Sequence, residues 1–436
     1  MSAFITDYLR VMRLFSRDVR MYLLTAALFG LSYFGFMTVL LNLYLLRLGY
    51  GPAYIGLANG STALAFALLS VPAGAAGSRW GYRRVTVLGV GLVSVATIFL
   101  PLVEFLPDNW RDMGILVTRI FSGLGFALYF VNANPYLVAA TEPEERNHVF
   151  SMQVGLLPFA GFAGSLIAGV MPEFLAPILD VSLDHPAPFR YPLIVAGVLL
   201  LPAILALLST QKVTPSSPAA TLAPPAATAP ETEVAPYALI IFLALAAMLR
   251  MAGEGAARTF FNVYLDAGLG VSTGTIGLLT AVGQLVAGPA ALIAPLLILR
   301  AGKVPAIAQS TLGAAGSLLL MGLAPHWALV GFGFMGVIGL RAITQSIASV
   351  LQMEIVPPGW RGTTSGIISM AMGLGFSTMA LGGGYLIPLV GYRGVFFVAA
   401  SLGTVSALLF WLYFRIPRGE YARPELGQPR ARTTSP

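Results

Sequence analysis

The sequence predicts an all-α membrane protein with twelve transmembrane helices in two pseudo-symmetric six-helix bundles. Of its 436 residues, 57% are hydrophobic and only 10% are charged, whereas a soluble domain carries about 25% charged residues. Charge this sparse cannot cover a soluble surface, so lipid must surround much of the chain. Long apolar runs recur along the whole chain, and motifs of the first half return in the second.

The apolar runs define the individual spans. Each is near the roughly 20 residues that a helix needs to cross the hydrocarbon core. Their continuity argues against a membrane β-barrel, in which polarity alternates over segments of about ten residues. The predicted spans are 21–46, 54–77, 85–103, 113–140, 149–171, 190–209, 237–265, 275–299, 304–324, 327–351, 363–388 and 394–414.

The spans divide the chain into five regions. Residues 1–20 combine four Arg with apolar residues at three- and four-residue spacing, which predicts a basic amphipathic helix on the cytoplasmic face. Residues 21–209 form the first bundle and residues 237–415 the second. Between them, residues 210–236 are rich in Pro, Ala and Thr, which predicts a disordered cytoplasmic linker. Residues 416–436 form a cytoplasmic tail.

The basic residues indicate how the chain is oriented. Of the 25 Lys and Arg, 17 fall on the side of the N-terminus and four on the opposite side. Because cytoplasmic loops are enriched in Lys and Arg, both termini are predicted to be cytoplasmic in a multi-pass protein of the inner (plasma) membrane. The net charge of +7 is therefore attributed to helix ends, and we expect no nucleic-acid partner.

Several classes of chemistry are disfavoured by composition. The chain has no Cys and only three His, which excludes thiolate metal sites and makes a His-based metal site improbable. The spans offer neither a Ser/His/Asp set nor paired carboxylates, so we expect a non-enzyme without metal or cofactor. No phosphate-binding loop with Walker spacing occurs, which argues against ATP as the energy source.

The two halves repeat each other at a nearly constant offset. Repeats of this kind are typical of transporters built from two related bundles. The repeated pairs are Asn42 and Asn262, Tyr44 and Tyr264, Ile55 and Ile276, Pro143 and Pro358, Arg146 and Arg361, and Gly169 and Gly384.

The loop after the second span carries a recognisable motif, GAAGSRWGYRR at residues 74–84. It resembles the signature of the major facilitator superfamily, with Ser78 where the family has Asp. The resemblance implies a gating loop at the cytoplasmic end. Its candidate residues are Gly74, Ser78, Arg79, Gly81, Arg83 and Arg84.

A second segment, ILVTRIFSGLGFA at residues 115–127, resembles a family signature of proton-coupled exporters. It places Arg119 within the fourth span and has Ser122 where Gln is usual. The resemblance implies a bacterial, exporter-like secondary transporter whose halves open alternately to the two sides, working as a monomer.

Charges inside the spans are the main candidates for a site. Each costs about 2.5–3.5 kcal/mol at the bilayer centre, so each must face a wet cavity or another charge. Arg250, Glu254 and Arg258 recur every four residues, which places them within an arc of about 80° on one helix. Glu254 is the only acidic residue deep in a span and is the candidate proton-coupling residue.

Polar residues elsewhere in the spans extend the candidate site. Arg341 and Gln345 share one face of the tenth span. The alternative for the whole set is structural, as ion pairs or interhelical hydrogen bonds that hold the helices together. The candidate substrate-binding residues are Arg119, Arg250, Arg258, Arg341, Gln345, Tyr129, Asn132, Asn59 and Gln284.

These residues suggest a function. Four Arg against one Glu inside the spans favour an anionic or amphipathic organic substrate. We therefore predict secondary active transport of a small organic solute, coupled to protons and directed toward export. The alternatives are an uncoupled facilitator or exchanger, and a membrane receptor that binds a ligand without moving it.

Overall fold

The computed structural model describes residues 15–141, 143–210 and 236–415. Within these ranges the chain is helical, without a strand, and eleven helices are long and apolar enough to cross a membrane. They are α1 (Arg17–Arg47), α2 (Pro52–Trp80), α3 (Tyr82–Phe105), α4 (Asp108–Ala140), α5 (Pro143–Ile178), α6 (Ala187–Leu208), α7 (Tyr237–Gly268), α8 (Thr273–Ala301), α9 (Lys303–Leu323), α10 (Trp327–Ile355) and α11 (Arg361–Arg415).

The helix positions follow the predicted spans within about two helical turns at each end. One difference concerns the N-terminus, because α1 begins at Arg17. Residues 17–20, which were predicted to belong to an interfacial helix, are therefore continuous with the helix that contains the first predicted span, and their interfacial placement stays a prediction. Residues 1–14, nearly all of the predicted linker (211–235) and the predicted tail (416–436) lie outside the described residues.

The last helix is unusually long, and a single glycine interrupts it. α11 has 55 residues, and Gly391 departs from helical geometry with φ 72° and ψ 172°. A positive φ is a conformation that glycine adopts readily and other residues rarely do. The segments 361–390 and 392–415 are each long enough to cross a bilayer, and they correspond to two predicted spans, 363–388 and 394–414.

The two halves pack closely at one end, where glycines let backbones approach each other. A Cβ added at Gly56 of α2 would lie 2.2 Å from the carbonyl oxygen of Ala380 in α11. Likewise, a Cβ added at Gly277 of α8 would lie 2.5 Å from the Cα of Gly169 in α5. We call this the closed end; it carries the connections 48–51 and 269–272.

Glycines of the same helices near the opposite end have room around them. A Cβ added at Gly155 of α5, Gly288 of α8 or Gly366 of α11 would meet no described atom within 4 Å. The halves are therefore packed together at the closed end and apart at the other, which we call the open end. The open end carries the tight turns at Gly81 and Gly302.

The contrast between the two ends gives a stability prediction. We expect Gly277→Val to lower the thermal unfolding midpoint of the purified protein, because the new side chain would overlap Gly169; overpacking of this kind costs about 1–3 kcal/mol. Gly288→Val, in the same helix but at the open end, is the matched control and should leave the midpoint nearly unchanged. Equal midpoints for the two variants would contradict close packing at the closed end.

Candidate functional site

A buried carboxylate shared by two guanidinium groups lies between α7 and α10. Arg258 Nε lies 2.5 Å from Glu254 Oε1, and Arg341 Nε pairs with Glu254 Oε2. Only 5% of the Glu254 side chain is exposed, against 26% for Arg258 and 33% for Arg341. The carboxylate is thus enclosed while both cations keep an accessible surface.

Local sequence explains why Glu254 can be buried here. Residues four apart on a helix lie on the same face, which brings Arg258 onto the Glu254 carboxylate. Gly253 and Gly255 flank the acid, and a Cβ at Gly255 would lie 2.9 Å from the backbone oxygen of Phe376. Small neighbours therefore let α11 close over the acid, and Arg341 supplies the second positive charge from α10.

Arg250, one turn before Glu254, borders two cavities in the second bundle. One is lined by Gln345 and Ser349 together with apolar residues such as Phe410. The second is bordered by Glu254 and Arg341 as well as Arg250. Within the described part of the chain, Arg250 has no hydrogen-bond or salt-bridge partner.

The cluster of Arg250, Glu254, Arg258 and Arg341 carries three positive charges and one negative charge. We call it the Arg/Glu cluster. A site with excess positive charge attracts anions, and guanidinium groups form paired hydrogen bonds with carboxylates and phosphates. Its chemistry therefore suits an organic anion.

The candidates of the first bundle have contacts within that bundle. Arg119 is 3% exposed, and its Nε donates to the Ala58 carbonyl at 3.3 Å. Asn132 donates to the Ala73 carbonyl at 3.1 Å, and Tyr129 stacks on Phe29. These contacts join α4 to α2 and α1, so a role of Arg119, Asn132 and Tyr129 in binding stays a prediction.

Two further candidates, Asn59 and Gln284, belong to polar contacts that reach the other bundle. Asn59 donates to Asn42 Oδ1 at 2.8 Å, and Asn42 in turn donates to the Thr259 carbonyl of α7 at 2.8 Å. Gln284 Nε2 donates to the Phe34 carbonyl of α1 at 2.6 Å. Gln284 therefore connects the bundles directly, and Asn59 supports the connection that Asn42 makes. A role of Asn59 and Gln284 in substrate binding stays a prediction.

Sequence reasoning used Asn42 and Asn262 only as markers of the repeat. In the structure they form reciprocal contacts, because Asn262 Nδ2 donates to the Thr38 carbonyl of α1 at 2.7 Å. Each asparagine thus binds the backbone of the opposite bundle about one turn before its counterpart. The sequence did contain a signal for these contacts, because the same residue, Asn, occupies corresponding positions in the two halves.

The contacts that charged residues make between the bundles at the closed end were also not predicted from the sequence. Arg47 of α1 binds Asp266 of α7 through two hydrogen bonds of 2.7 and 2.8 Å. Glu173 of α5 accepts a hydrogen bond of 2.8 Å from the backbone N–H of Gly274 at the start of α8. A carboxylate at a helix N-terminus is favoured by the helix dipole, so both contacts hold the bundles together here.

The predicted gating loop lies at the open end. Gly81 has φ 89°, and Arg83 Nε donates to the Leu207 carbonyl of α6 at 3.1 Å. Ser78 Oγ donates to the Ala75 carbonyl at 3.0 Å, while Arg79 and Arg84 are exposed. The turn is therefore held by its own bundle. A Cβ added at Gly74 would lie 3.4 Å from Val131 Cγ1 of that bundle.

Comparison with known families is consistent with this architecture. The family model of the Major Facilitator Superfamily matches residues 22–244 and again residues 243–436. The chain belongs to the major facilitator superfamily. Comparison with curated proteins gives no sequence match.

Solved structures of other superfamily members share the fold. A bacterial homolog of the human lysosomal transporter Spinster, in an inward-facing and unoccupied conformation, is 15% identical with a TM-score of 0.70, covering 91% of this chain and 95% of that one. A D-xylose-proton symporter is 16% identical with a TM-score of 0.67, covering 91% and 97%. A human organic anion transporter is 17% identical with a TM-score of 0.58, covering 90% and 99%. At these identities the likeness concerns the fold of this superfamily member alone.

Proposed function

We propose that this superfamily member is a proton-coupled secondary transporter of a small organic anion. The observation that carries the proposal is the Arg/Glu cluster: Glu254 is enclosed by Arg258 and Arg341, while Arg250 borders two cavities without a described partner. Ionisable residues this deep in membrane helices generally mark substrate or ion pathways.

Anion recognition would begin at Arg250. Within the described residues, its guanidinium is the cation of the Arg/Glu cluster that pairs with no carboxylate. The apolar residues that line the adjoining cavity, such as Leu243, Met372 and Phe410, suit an organic body attached to the charged group. Gln345 also lines this cavity and would donate to the ligand.

Proton coupling would follow from competition for Arg258 and Arg341. While Glu254 is ionised, it occupies both guanidinium groups. A proton on Glu254 removes that attraction and frees the two cations for the substrate anion. Anion binding and protonation of Glu254 would therefore favour each other, as linkage requires for any two coupled binding events.

Movement of the substrate would require the closed and open ends to exchange roles. Such rocking of two repeats around a central site is how transporters of this type provide alternating access. Besides the glycine packing, the closed end is held by discrete polar contacts that can break and reform, such as Arg47 with Asp266 and the reciprocal asparagines.

The membrane arrangement is part of the proposal. We propose that Gly391 separates two spans, so that the chain crosses the membrane twelve times, and that both termini face the cytoplasm of the inner membrane as the charge bias predicts. The open end would then face the cytoplasm, and the protein would work as a monomer.

The fold is compatible with this substrate class and with this coupling, because other proteins that share the fold have each of these properties. One solved structure is that of an organic anion transporter, and another is that of a proton symporter. Export, which was predicted from residues 115–127, remains a separate prediction, because an anion and a proton that bind together move in the same direction. The sign of the flux in vesicles of known orientation tests it.

A thermal-shift screen of carboxylates and organic phosphates on the detergent-purified protein tests the proposal. We expect at least one anion to raise the unfolding midpoint of the wild type but not that of Arg250→Ala or Arg341→Ala. Arg300→Ala, at the exposed end of α8, is the matched control and should respond like the wild type. An anion response that survives in both cluster variants would place the binding site elsewhere.

A further inference from the structure

The first bundle presents a group of aromatic side chains that the proposed function does not use. We call Tyr33, Phe34, Phe66, Phe126 and Phe130 the aromatic wall. Phe126 is its centre, with ring centroids 4.7 Å from Tyr33, 5.9 Å from Phe66 and 4.5 Å from Phe130. The ring of Phe34 lies 6.1 Å from that of Phe126.

The aromatic wall differs from the packing core behind it. Phe29 and Tyr129, which stack at 4.5 Å, are fully buried. All five residues of the wall are only half-buried. Their outer ring surfaces therefore remain available, although burying an aromatic ring completely would be more favourable for folding.

The wall adjoins the boundary with the second bundle. Its rings come from α1, α2 and α4, and α1 and α2 contact α7 and α11 through Asn42 and Gly56. Phe34 itself sits at this boundary, because its carbonyl accepts the hydrogen bond from Gln284 of α8. Phe34 also belongs to the π-helical segment Gly30–Met37, and such widened turns are frequent at functional sites.

The wall and the Arg/Glu cluster lie at a similar depth. Asn262 of α7 binds the backbone of Thr38 in α1. Arg258 is four residues before Asn262, and Phe34 is four residues before Thr38. With a rise of about 1.5 Å per residue, both lie about 6 Å from this contact, in the direction of the open end where the bundles separate.

We propose that the transported anion carries an aromatic ring, which stacks on the aromatic wall while its charged group binds the Arg/Glu cluster. This inference rests on the proposed function and specifies its substrate class. Aromatic faces also attract organic cations, but the excess positive charge of the cluster opposes a cation at this depth. A ring-bearing carboxylate or phosphate satisfies both surfaces together.

Isothermal titration of the purified protein with a matched pair of probes tests this inference. The probes are 2-naphthoate and decahydro-2-naphthoate, which share the carboxylate and the carbon skeleton but differ in aromaticity; 2-naphthylmethanol is the neutral probe. We expect 2-naphthoate to bind roughly three- to tenfold more tightly than its saturated counterpart, the range that aromatic pairing supplies beyond area burial. The neutral probe should bind more weakly than 2-naphthoate.

Variants connect that preference to the wall. Phe126→Leu and Phe130→Leu should each reduce the preference to less than twofold, and Phe126→Trp should retain it. Phe332→Leu is the matched control, since Phe332 is 68% exposed near the closed end of α10. Thermal unfolding identifies any variant that fails to fold, and the remaining leucine variant then carries the test.

Each outcome has a distinct meaning. Equal affinity of the wild type for the two carboxylates, or a preference that survives in both leucine variants, would overturn the aromatic inference while anion transport stands. Failure of both carboxylates to bind, or equal binding of 2-naphthylmethanol, would contradict the proposed anion site and this inference with it.

Discussion

Replacing Glu254 with glutamine should abolish proton-driven accumulation of the substrate in proteoliposomes. A gradient of one pH unit corresponds to about 1.4 kcal/mol, which drives about tenfold accumulation when one proton moves with each substrate. Glutamine keeps the size of the side chain but cannot lose or gain a proton. The accumulation ratio should therefore fall from about ten to about one, while substrate exchange without a gradient continues.

A surface carboxylate provides the control for this variant. Glu354, in the last turn of α10, pairs with Lys303 and is partly exposed, and exposed ion pairs contribute little. Glu354→Gln should accumulate substrate like the wild type. If Glu254→Gln still concentrates substrate in response to a proton gradient, Glu254 is not the coupling residue. The Arg/Glu cluster would then bind substrate without coupling its transport to protons.

Fixing the closed end should stop transport entirely. The chain has no native cysteine. In the double variant Arg47→Cys with Asp266→Cys, a thiol reagent can therefore react only at these two positions. A short bifunctional thiol reagent that joins the two positions would hold α1 against α7, since the native side chains there are in direct contact. Because alternating access requires this end to open, uptake should fall to the level of empty vesicles.

The single-cysteine variants separate this effect from loss of the salt bridge. Arg47→Cys and Asp266→Cys, each treated with the same reagent, should keep measurable uptake. A cleavable reagent adds a second check, because reduction should restore transport in the double variant. Uptake that continues in the fully cross-linked protein would mean that the closed end does not open during transport.

The fold could be predicted from the sequence because its signals are long and redundant. An apolar run of 20 residues has one stable form in lipid, a helix, since backbone polar groups must be satisfied within the segment. Boundaries were less certain. Arg17 and Arg20 continue the first helix although basic residues usually mark its end, because the adjacent Val19 and Tyr22 are fully buried.

Part of the geometry of the candidate site could be predicted from the sequence. The four-residue spacing of Arg250, Glu254 and Arg258 fixes their common face, and the structure adds Arg341 from α10 as the second partner of Glu254. Spacing along one helix cannot state which neighbouring helix completes an ion pair. For the same reason, the contacts of Asn42 and Asn262 across the bundles required the packing of α1 against α7.

The aromatic residues show most clearly what could not be predicted from the sequence, namely which way a side chain on a membrane helix points. Phe126 and Phe130 looked no different in sequence from Phe121, yet Phe121 is exposed on α4 while the other two join the aromatic wall. On a helix that is apolar on most sides, hydrophobic periodicity does not distinguish a lipid-facing ring from one that faces the other bundle. Only the position of the neighbouring helices separates these roles.

The most direct test of the Arg/Glu cluster is the number of protons taken up when the anion binds. The purified protein in weak buffer with a pH indicator is titrated with the carboxylate that binds most tightly in the thermal-shift screen. Linkage predicts that the wild type takes up close to one proton per anion at a pH where Glu254 is ionised in the free protein and protonated in the complex, and that Glu254→Gln takes up none. Anion binding to the wild type without proton uptake, or equal uptake by the variant, would contradict the competition between Glu254 and the substrate for Arg258 and Arg341.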